Sequence, residues 1–118
     1  MTNPGWAASH AADATWEPFG PRDAPVGRVR WLAHEDGERL AGVWEIEPAE
    51  LAPRTRVPMH QREIVYIIEG EVEVDIEGGA TLRLGAGDQA CFEPGTTTYW
   101  TVLASLREHF IYVPVASA

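Results

Sequence analysis

Hydrophobic and polar residues alternate in short segments from Arg28 onward, and turn residues separate these segments at short intervals. The alternation is strict in residues 71–76, where carboxylates occupy one face and aliphatic side chains the other. Residues 40–46 alternate too, and residues 64–68 form a nearly continuous β-branched and aromatic run. A period of two is typical of strands with one solvated face, and no stretch of about a dozen residues shows a helical period. The pattern therefore predicts an all-β domain.

Turns that contain glycine or proline divide the second half of the chain. Gly78-Gly79 precedes a predicted strand over 81–84, and Pro94-Gly95 follows one over 89–92. The last predicted strands are residues 98–103 and 107–113. A series of short strands joined by such turns predicts a jelly-roll β-barrel, which closes most sheet edges and leaves a mouth where a small ligand can bind.

Residues 1–27 show no such pattern. They are rich in proline and glycine, and their aromatic residues Trp6, Trp16 and Phe19 follow neither a helical nor a strand period. We therefore predict an irregular N-terminal arm before a barrel domain over 28–118. Because disordered tails are usually poor in aromatic residues, the arm is expected to pack on the domain itself or on a partner subunit. The first residues have neither the basic region nor the apolar stretch of a signal peptide or membrane anchor.

The composition limits the classes of partner. The chain has 118 residues, of which 45% are hydrophobic, and this is typical of one soluble globular domain. Its formal net charge is −9. Nucleic acids and anionic membranes are therefore not expected as partners, since both require a cationic protein surface. No run reaches the roughly 20 apolar residues that a membrane helix needs.

The types of basic residue and of cysteine exclude further chemistry. Every basic residue is arginine, so mechanisms that use a lysine Schiff base or a P-loop lysine are excluded. Cys91 is the only cysteine, so the chain has no internal disulfide and no paired cysteines for zinc. A reducing, cytoplasmic location is expected. Cys91 lies between Ala90 and Phe92 in a predicted strand, and we expect it to be inert core.

Two motifs are the most specific features of the sequence. The first runs over residues 63–70, from Glu63 to Gly70, and the second over 87–95, from Gly-Asp to Pro-Gly. With these motifs the chain resembles the cupins over residues 40–113. It is most similar to the small RmlC-like cupins related to ureidoglycine aminohydrolase and the ethanolamine-utilisation cupins. This resemblance rests also on residues 42–45, on Tyr66 and on Trp100. It implies a cupin-type jelly-roll barrel, in a family that mixes enzymes with members of unassigned activity.

In metal-binding cupins the first motif supplies His-x-His and a glutamate, and the second supplies a third histidine. Here the corresponding positions carry Val57, Met59 and Thr98, so only Glu63 is retained, with His60 close by but out of register.

His109 and either Cys91 or Gln89 are possible additional donors for a metal ion. The metal would be manganese, iron, nickel or zinc, which usually needs three or four convergent ligands. A metal-free barrel is therefore the favoured interpretation.

Other residues are candidates for binding a ligand. Trp44, Tyr66 and Trp100 either line the barrel interior or form ordinary core.

Arg54 and Arg56 have the spacing that places two side chains on one side of an extended segment, where they would hold a carboxylate or remain solvated. Two further candidates are the hydroxyl of Thr98 and His109, which shares one face of its strand with Arg107 and Ile111.

Two functions remain open at this point. In the first, the protein is a cupin that binds a small polar metabolite and has a degenerate metal site. In the second, it is a metal-dependent aminohydrolase, isomerase or lyase acting on a small nitrogenous or carboxylated metabolite. Glu63 would then be ligand or general base, and His60 or His109 ligand or proton shuttle. By resemblance to related cupins, a homodimer is expected.

Overall fold

The computed structural model describes residues 5–13 and 15–114. The start of the predicted arm, residues 1–4, and the end of the predicted barrel domain, residues 115–118, lie outside the described residues. The described part contains eight strands and two short 3-10 helices, Ala11–Asp13 and Pro48–Glu50. The strands are β1 (Glu17–Pro18), β2 (Arg28–Ala33), β3 (Arg39–Ile46), β4 (Thr55–Pro58), β5 (Arg62–Ile76), β6 (Thr81–Gly85), β7 (Gln89–Phe92) and β8 (Thr97–Val113). No helix in these ranges is long and apolar enough to cross a membrane.

All eight strands belong to one antiparallel sheet. Its main order is β1-β2-β3-β8-β5-β6, while β4 pairs with β8 and β7 pairs with β5. The two long strands thus each hold several neighbours along their length, as expected for a sheet that curls around a single interior. The prediction of an all-β jelly-roll fold is confirmed.

The structure adds β1, within the predicted arm, and β4, and it joins two pairs of predicted strands. Residues 64–68 and 71–76 belong to the single strand β5, and residues 98–103 and 107–113 to the single strand β8. The pairing of β5 with β8 shifts register between Ile67 and Val72, so a bulge interrupts the pairing without ending either strand. Gly70 lies in this bulge with a φ of 94°.

The core follows the alternation along the strands. Val65, Ile67, Val72 and Val74 of β5 are fully buried, whereas the carboxylates between them point outward. On the outer surface Glu71 pairs with Arg83 of β6 at 3.0 Å. The amphipathic pattern that predicted these strands therefore also sets which side faces the barrel interior.

The segment before β2 packs on the barrel. Phe19 lies 5.9 Å from the ring of Trp31 and 6.0 Å from that of Phe110, measured between centroids. Trp16 stacks under the guanidinium of Arg28 at 4.3 Å. Of the two packing partners expected for the arm, these residues contact the domain itself, while Trp6 remains 71% exposed.

Candidate functional site

A cavity of about 320 Å³ lies in the barrel beside β3, β4, β5 and β8. Phe19, Pro21 and Val26 of the segment before β2 close one side of it. Its other apolar lining residues are Trp44, Leu51, Val57, Met59, Trp100 and Phe110. Its polar lining residues are Thr55, Arg56, Glu63, Glu108 and Tyr112. A mostly apolar wall with a few polar groups is the usual composition of a small-molecule site.

Two tryptophans form a fixed part of the wall. The rings of Trp44 and Trp100 meet edge to face, with centroids 6.0 Å apart. The Trp44 Nε1–H donates to the carbonyl oxygen of Val26 at 2.8 Å, and the Trp100 Nε1–H donates to Oγ1 of Thr98 at 2.8 Å. Because both indole N–H groups already have acceptors, the rings contribute apolar and π surface to the cavity.

Two acidic side chains enter the cavity from neighbouring strands. Glu63 lies on β5 opposite Tyr112 of β8. Glu108 lies on β8, opposite Ile67 of β5 on one side and Trp44 of β3 on the other. Both carboxyl groups are therefore carried by regular strands, which position a functional group better than loops do.

Burial sets the protonation of both acids. It raises the pKa of Glu63 to about 7, and this carboxyl has no hydrogen bond or ion pair with any residue that the structure describes. The pKa of Glu108 lies well above its usual range, first because the side chain is buried and second because Glu63 carries a negative charge. Burial, together with that charge, also raises the pKa of Tyr112 to about 12.

Glu108 is the more unusual of the two acids. Its exposed fraction is 2%, and its Oε1 atom is buried without a hydrogen-bond partner in the described structure. Buried polar atoms nearly always have a partner, and an orphaned one is costly. Burial therefore favours the protonated form of Glu108, and Glu63, whose pKa is about 7, titrates near neutral pH. The two groups can donate and accept hydrogen bonds inside an apolar space, and they can exchange protons with a bound molecule.

Glu108 was not among the residues predicted from the sequence, and the opposite face of β8 was predicted to line the interior. Leu106, Glu108 and Phe110 are buried and point inward. His109 points outward, contrary to the prediction, into a shallow groove that Arg30 also lines. A signal for Glu108 was present, because it is flanked at two-residue spacing by apolar residues, as an inward position in a strand should be.

The structure brings together only some of the predicted site residues. Glu63, Trp44, Trp100 and Arg56 line the cavity. Tyr66 does not, contrary to the prediction. It is 44% exposed because odd-numbered residues of this part of β5 face inward and even-numbered ones face outward.

Arg54 and Thr98 also lie away from the cavity wall. Arg54 precedes β4 with a φ of 55°, pairs with Asp75 and stacks on Tyr99, so it does not act together with Arg56 as one carboxylate clamp. Thr98 is fully buried, donates its hydroxyl to the carbonyl oxygen of Val57 at 2.8 Å and accepts from Trp100. Its hydroxyl is thus used within the core.

The residues present do not fit a metal centre. Val57 and Met59 line the cavity where the resemblance expects two histidines, and neither offers a strong ligand. His60 is exposed in the loop between β4 and β5 and does not line the cavity with Glu63. Residues 5–13 and 15–114 contain no group of three or more His, Cys, Asp or Glu side chains placed to hold a metal ion.

Cys91 lies on the outside of the barrel, contrary to the prediction that it belongs to the core. It is exposed on β7, with its Sγ atom 3.8 Å from Oε1 of Glu93. The residue faces outward because its neighbour Phe92 fills the core. The reducing, cytoplasmic location stays a prediction.

Several solved structures share the fold. An RmlC-like cupin from Shewanella frigidimarina is 16% identical with a TM-score of 0.69, and the alignment covers 92% of this chain and 91% of that one. A DUF861 family protein from Thermotoga maritima is 23% identical with a TM-score of 0.53, over 86% of this chain and 100% of that one. A structure of FeII HppE is 11% identical with a TM-score of 0.70, over 96% of this chain. The chain spans 63% of that protein.

Sequence comparison identifies the family. No curated protein matches the chain. The EutQ-like cupin domain matches residues 33–110, a range that includes the cavity-lining parts of β3, β4, β5 and β8. The predicted resemblance to a small cupin is thereby confirmed, while the relation to ureidoglycine aminohydrolase stays a prediction. The chain belongs to the EutQ-like cupin family.

Proposed function

We propose that the protein binds a small molecule in the barrel cavity and that its metal site is degenerate. The observation that carries this proposal is the cavity itself, with its aromatic wall and two acids. The lining changes the expected ligand, since a polar metabolite without an apolar part would leave Trp44, Trp100 and Phe110 poorly covered. A ligand with an apolar body and one polar end matches the wall better.

The size of the cavity supports a ligand of this kind. An apolar cavity of about 150 Å³ is enough to hold benzene in a protein interior. At about 320 Å³ the space in this barrel has room for a ring and a short substituent. Thr55 and Arg56 of β4 add polar groups to the same wall, and Arg56 is exposed.

An enzyme is the second candidate function. The structural relative HppE is in an Fe(II) form, but the cavity of this chain offers two carboxyl groups and the phenol of Tyr112, and no histidine among the described residues lines it, so we do not extend iron chemistry to it. What favours an enzyme is Glu63, because a carboxyl with a pKa of about 7 inside a cavity is suited to general acid-base catalysis at neutral pH. Proton transfer without a metal is the reaction type that this arrangement supports.

Binding can be tested with benzyl alcohol, a neutral molecule with one ring and one polar end. We expect a dissociation constant of about 1 mM or lower by calorimetry, unchanged by EDTA. Val57→Phe should abolish binding because the new ring fills the cavity, and Thr55→Phe provides a second blocking variant. Leu103→Phe adds the same ring on the exposed outer face and should bind as the wild type does. Binding that requires added metal, or that survives both blocking variants, would contradict the proposal.

We also propose that the protein forms a homodimer through an apolar patch on β5 and β8 that contains Tyr66 and Ile111. Ile64 lies opposite Ile111 in register, and Tyr66 and Ile68 follow Ile64 on the same face of β5, giving an outer apolar patch of four residues. Three of these large side chains, Tyr66, Ile68 and Ile111, are exposed in the single chain. Patches of this kind on a sheet are typical of subunit interfaces.

Light scattering after size exclusion tests the homodimer. The wild type should elute with twice the mass of one chain, and Tyr66→Glu should dissociate it at least tenfold more readily, because two carboxylates would be buried at a symmetric interface. Leu103→Glu introduces the same charge outside the patch and should leave the dimer intact. A monomeric wild type, or equal dissociation in both variants, would exclude this interface.

A further inference from the structure

The cavity holds negative charge without an internal positive partner. Its titratable and charged lining residues are Arg56, Glu63, Glu108 and Tyr112. Of these only Arg56 is a cation, and it is exposed and makes no ion pair or hydrogen bond with the residues that the structure describes. The ion pairs within the described residues join other side chains, none of which lines the cavity. The two acids therefore lack the arginine partner that buried carboxylates usually have.

The missing partner is most evident at Glu108. Its side chain is 98% buried, it lines the cavity, and its Oε1 atom has no partner. An unpartnered acid is expensive to keep in a core where Leu106 and Phe110, two residues away on either side, are apolar. A bound molecule that donates hydrogen bonds would satisfy this oxygen, and a positively charged donor would do so with the largest gain.

We propose that the cavity binds a small organic cation, an ammonium or amidinium group on an apolar body, whose charge is balanced by Glu63 and Glu108. Trp44 and Trp100 supply the wall for the apolar body, and their rings also attract a cation through their π faces. This inference rests on the function proposed above and adds the chemical class of the ligand to it.

A cation is favoured over an anion for three reasons. The formal net charge of the chain is −9, so the protein as a whole attracts cations. An anion in the cavity would be repelled by Glu63 whenever that group is ionised, and no buried arginine or histidine lines the space to offset this. Finally, a cation stabilises the ionised form of Glu108. Its binding should therefore release the carboxyl proton to the buffer, and no other reactant is needed for the balance.

Three probes of similar shape separate the alternatives: benzylamine as the cation, benzyl alcohol as the neutral analogue and benzoate as the anion. At pH 7 we expect benzylamine to bind about tenfold tighter than benzyl alcohol, and benzoate to bind weakest. Calorimetry in phosphate and in Tris, buffers with different ionisation enthalpies, should show that benzylamine releases protons on binding. Benzyl alcohol should release none.

Substitutions then assign the effect to the two acids. Glu63→Gln and Glu108→Gln keep the shape of the side chains, and each should remove most of the preference for benzylamine over benzyl alcohol. Glu69→Gln, whose side chain is 70% exposed on the surface, serves as the matched control. A cooperative urea unfolding transition shows that the variants are folded.

The possible failures are distinguishable. If benzyl alcohol binds but benzylamine binds no better, or if benzoate binds best, the cation proposal is overturned and the small-molecule site stands. The same follows if the preference for benzylamine survives in the Glu63→Gln, Glu108→Gln double variant. If none of the three probes binds, the proposed function itself fails together with the ligand class.

Discussion

Glu108→Leu is expected to raise the free energy of unfolding by about 2 kcal/mol at pH 7, although the substitution removes an ionisable side chain from β8. The Glu108 side chain is buried, and its Oε1 atom has no hydrogen-bond partner in the described structure. A leucine side chain has a similar volume and would lie between two apolar residues of β8, Leu106 and Phe110. The gain should come from removing a desolvated acid. Most substitutions at buried positions destabilise a protein, so an increase here is a sharp test.

The increase should depend on pH in a defined direction. Both acids have a higher pKa in the folded protein than in the unfolded chain, so the folded state binds protons more tightly. Their favourable contribution is complete below about pH 4.5 and is lost as the pH rises through the folded pKa. For Glu63 the difference between 4.5 and about 7 corresponds to about 3 kcal/mol lost above pH 7. In Glu108→Leu the part due to Glu108 disappears, so the variant should gain more at pH 9 than at pH 5.

Urea unfolding of the wild type and Glu108→Leu at pH 5, 7 and 9 measures both effects. Glu69→Leu is the control, because it removes a carboxylate of the same type from an exposed position and should change stability by less than about 0.5 kcal/mol. A variant that is less stable than the wild type at pH 9 would show that Glu108 has a partner or a role in packing that outweighs its desolvation.

Such a gain in stability should be accompanied by a loss of cation binding. A protein that keeps a costly buried acid in a cavity, where leucine would stabilise the fold, shows the conflict between stability and function that is typical of ligand sites. Buried acids with strongly raised pKa values cluster at functional sites for the same reason. Glu63 and Glu108 are therefore better explained by what they bind than by what they contribute to folding.

Much of this fold follows from the sequence, because the period-two pattern is a direct consequence of strand geometry. The inward positions of Val72 and Val74 were readable from the alternation with carboxylates. The continuity of β5 and β8 was not readable, since Gly70 looks like a turn residue until the strand opposite it is known. Whether a glycine ends a strand or forms a bulge in it depends on long-range pairing.

The site was harder to predict than the fold. In β8 the alternation divides residues into two faces, and choosing the inward face correctly requires weighing Leu106 and Phe110 against Arg107 and Ile111. The face that carries His109 was predicted to line the interior, because histidine is the usual metal ligand in cupins. Local chain conformation was a second obstacle. Arg54 has a left-handed φ and lies before the strand, so the spacing rule for extended segments does not apply to it.

The cavity itself could not be predicted from the pattern of residues. Trp44 and Trp100 have the composition of ordinary core, and whether they enclose a hollow depends on how far the strands stand apart. The segment before β2 matters too, because Phe19 and Val26 close one side of the space. Volume left unfilled is a property of the whole packing, and no short motif encodes it.

Gly70→Ala is expected to destabilise the protein by about 3 kcal/mol or more, because two independent penalties combine at this position. The backbone has a φ of 94°, which residues with a Cβ atom rarely adopt. In addition, a Cβ atom would overlap the backbone carbonyl oxygen of Ser105 and lie 2.8 Å from Cα of Leu106. These are backbone atoms of β8, so no side-chain rotation can relieve the overlap.

Gly78→Ala separates the two penalties. Gly78 has a similar φ of 74°, but nothing lies within 4 Å of the position of its Cβ atom, so only the conformational cost of about 1 kcal/mol should appear. Urea unfolding of both variants at pH 7 gives the comparison. Equal losses would mean that β5 and β8 can separate at the bulge without further cost. A larger loss for Gly70→Ala, with weaker benzylamine binding in the protein that remains folded, would show that the bulge fixes the register that places Glu63 and Glu108 in one cavity.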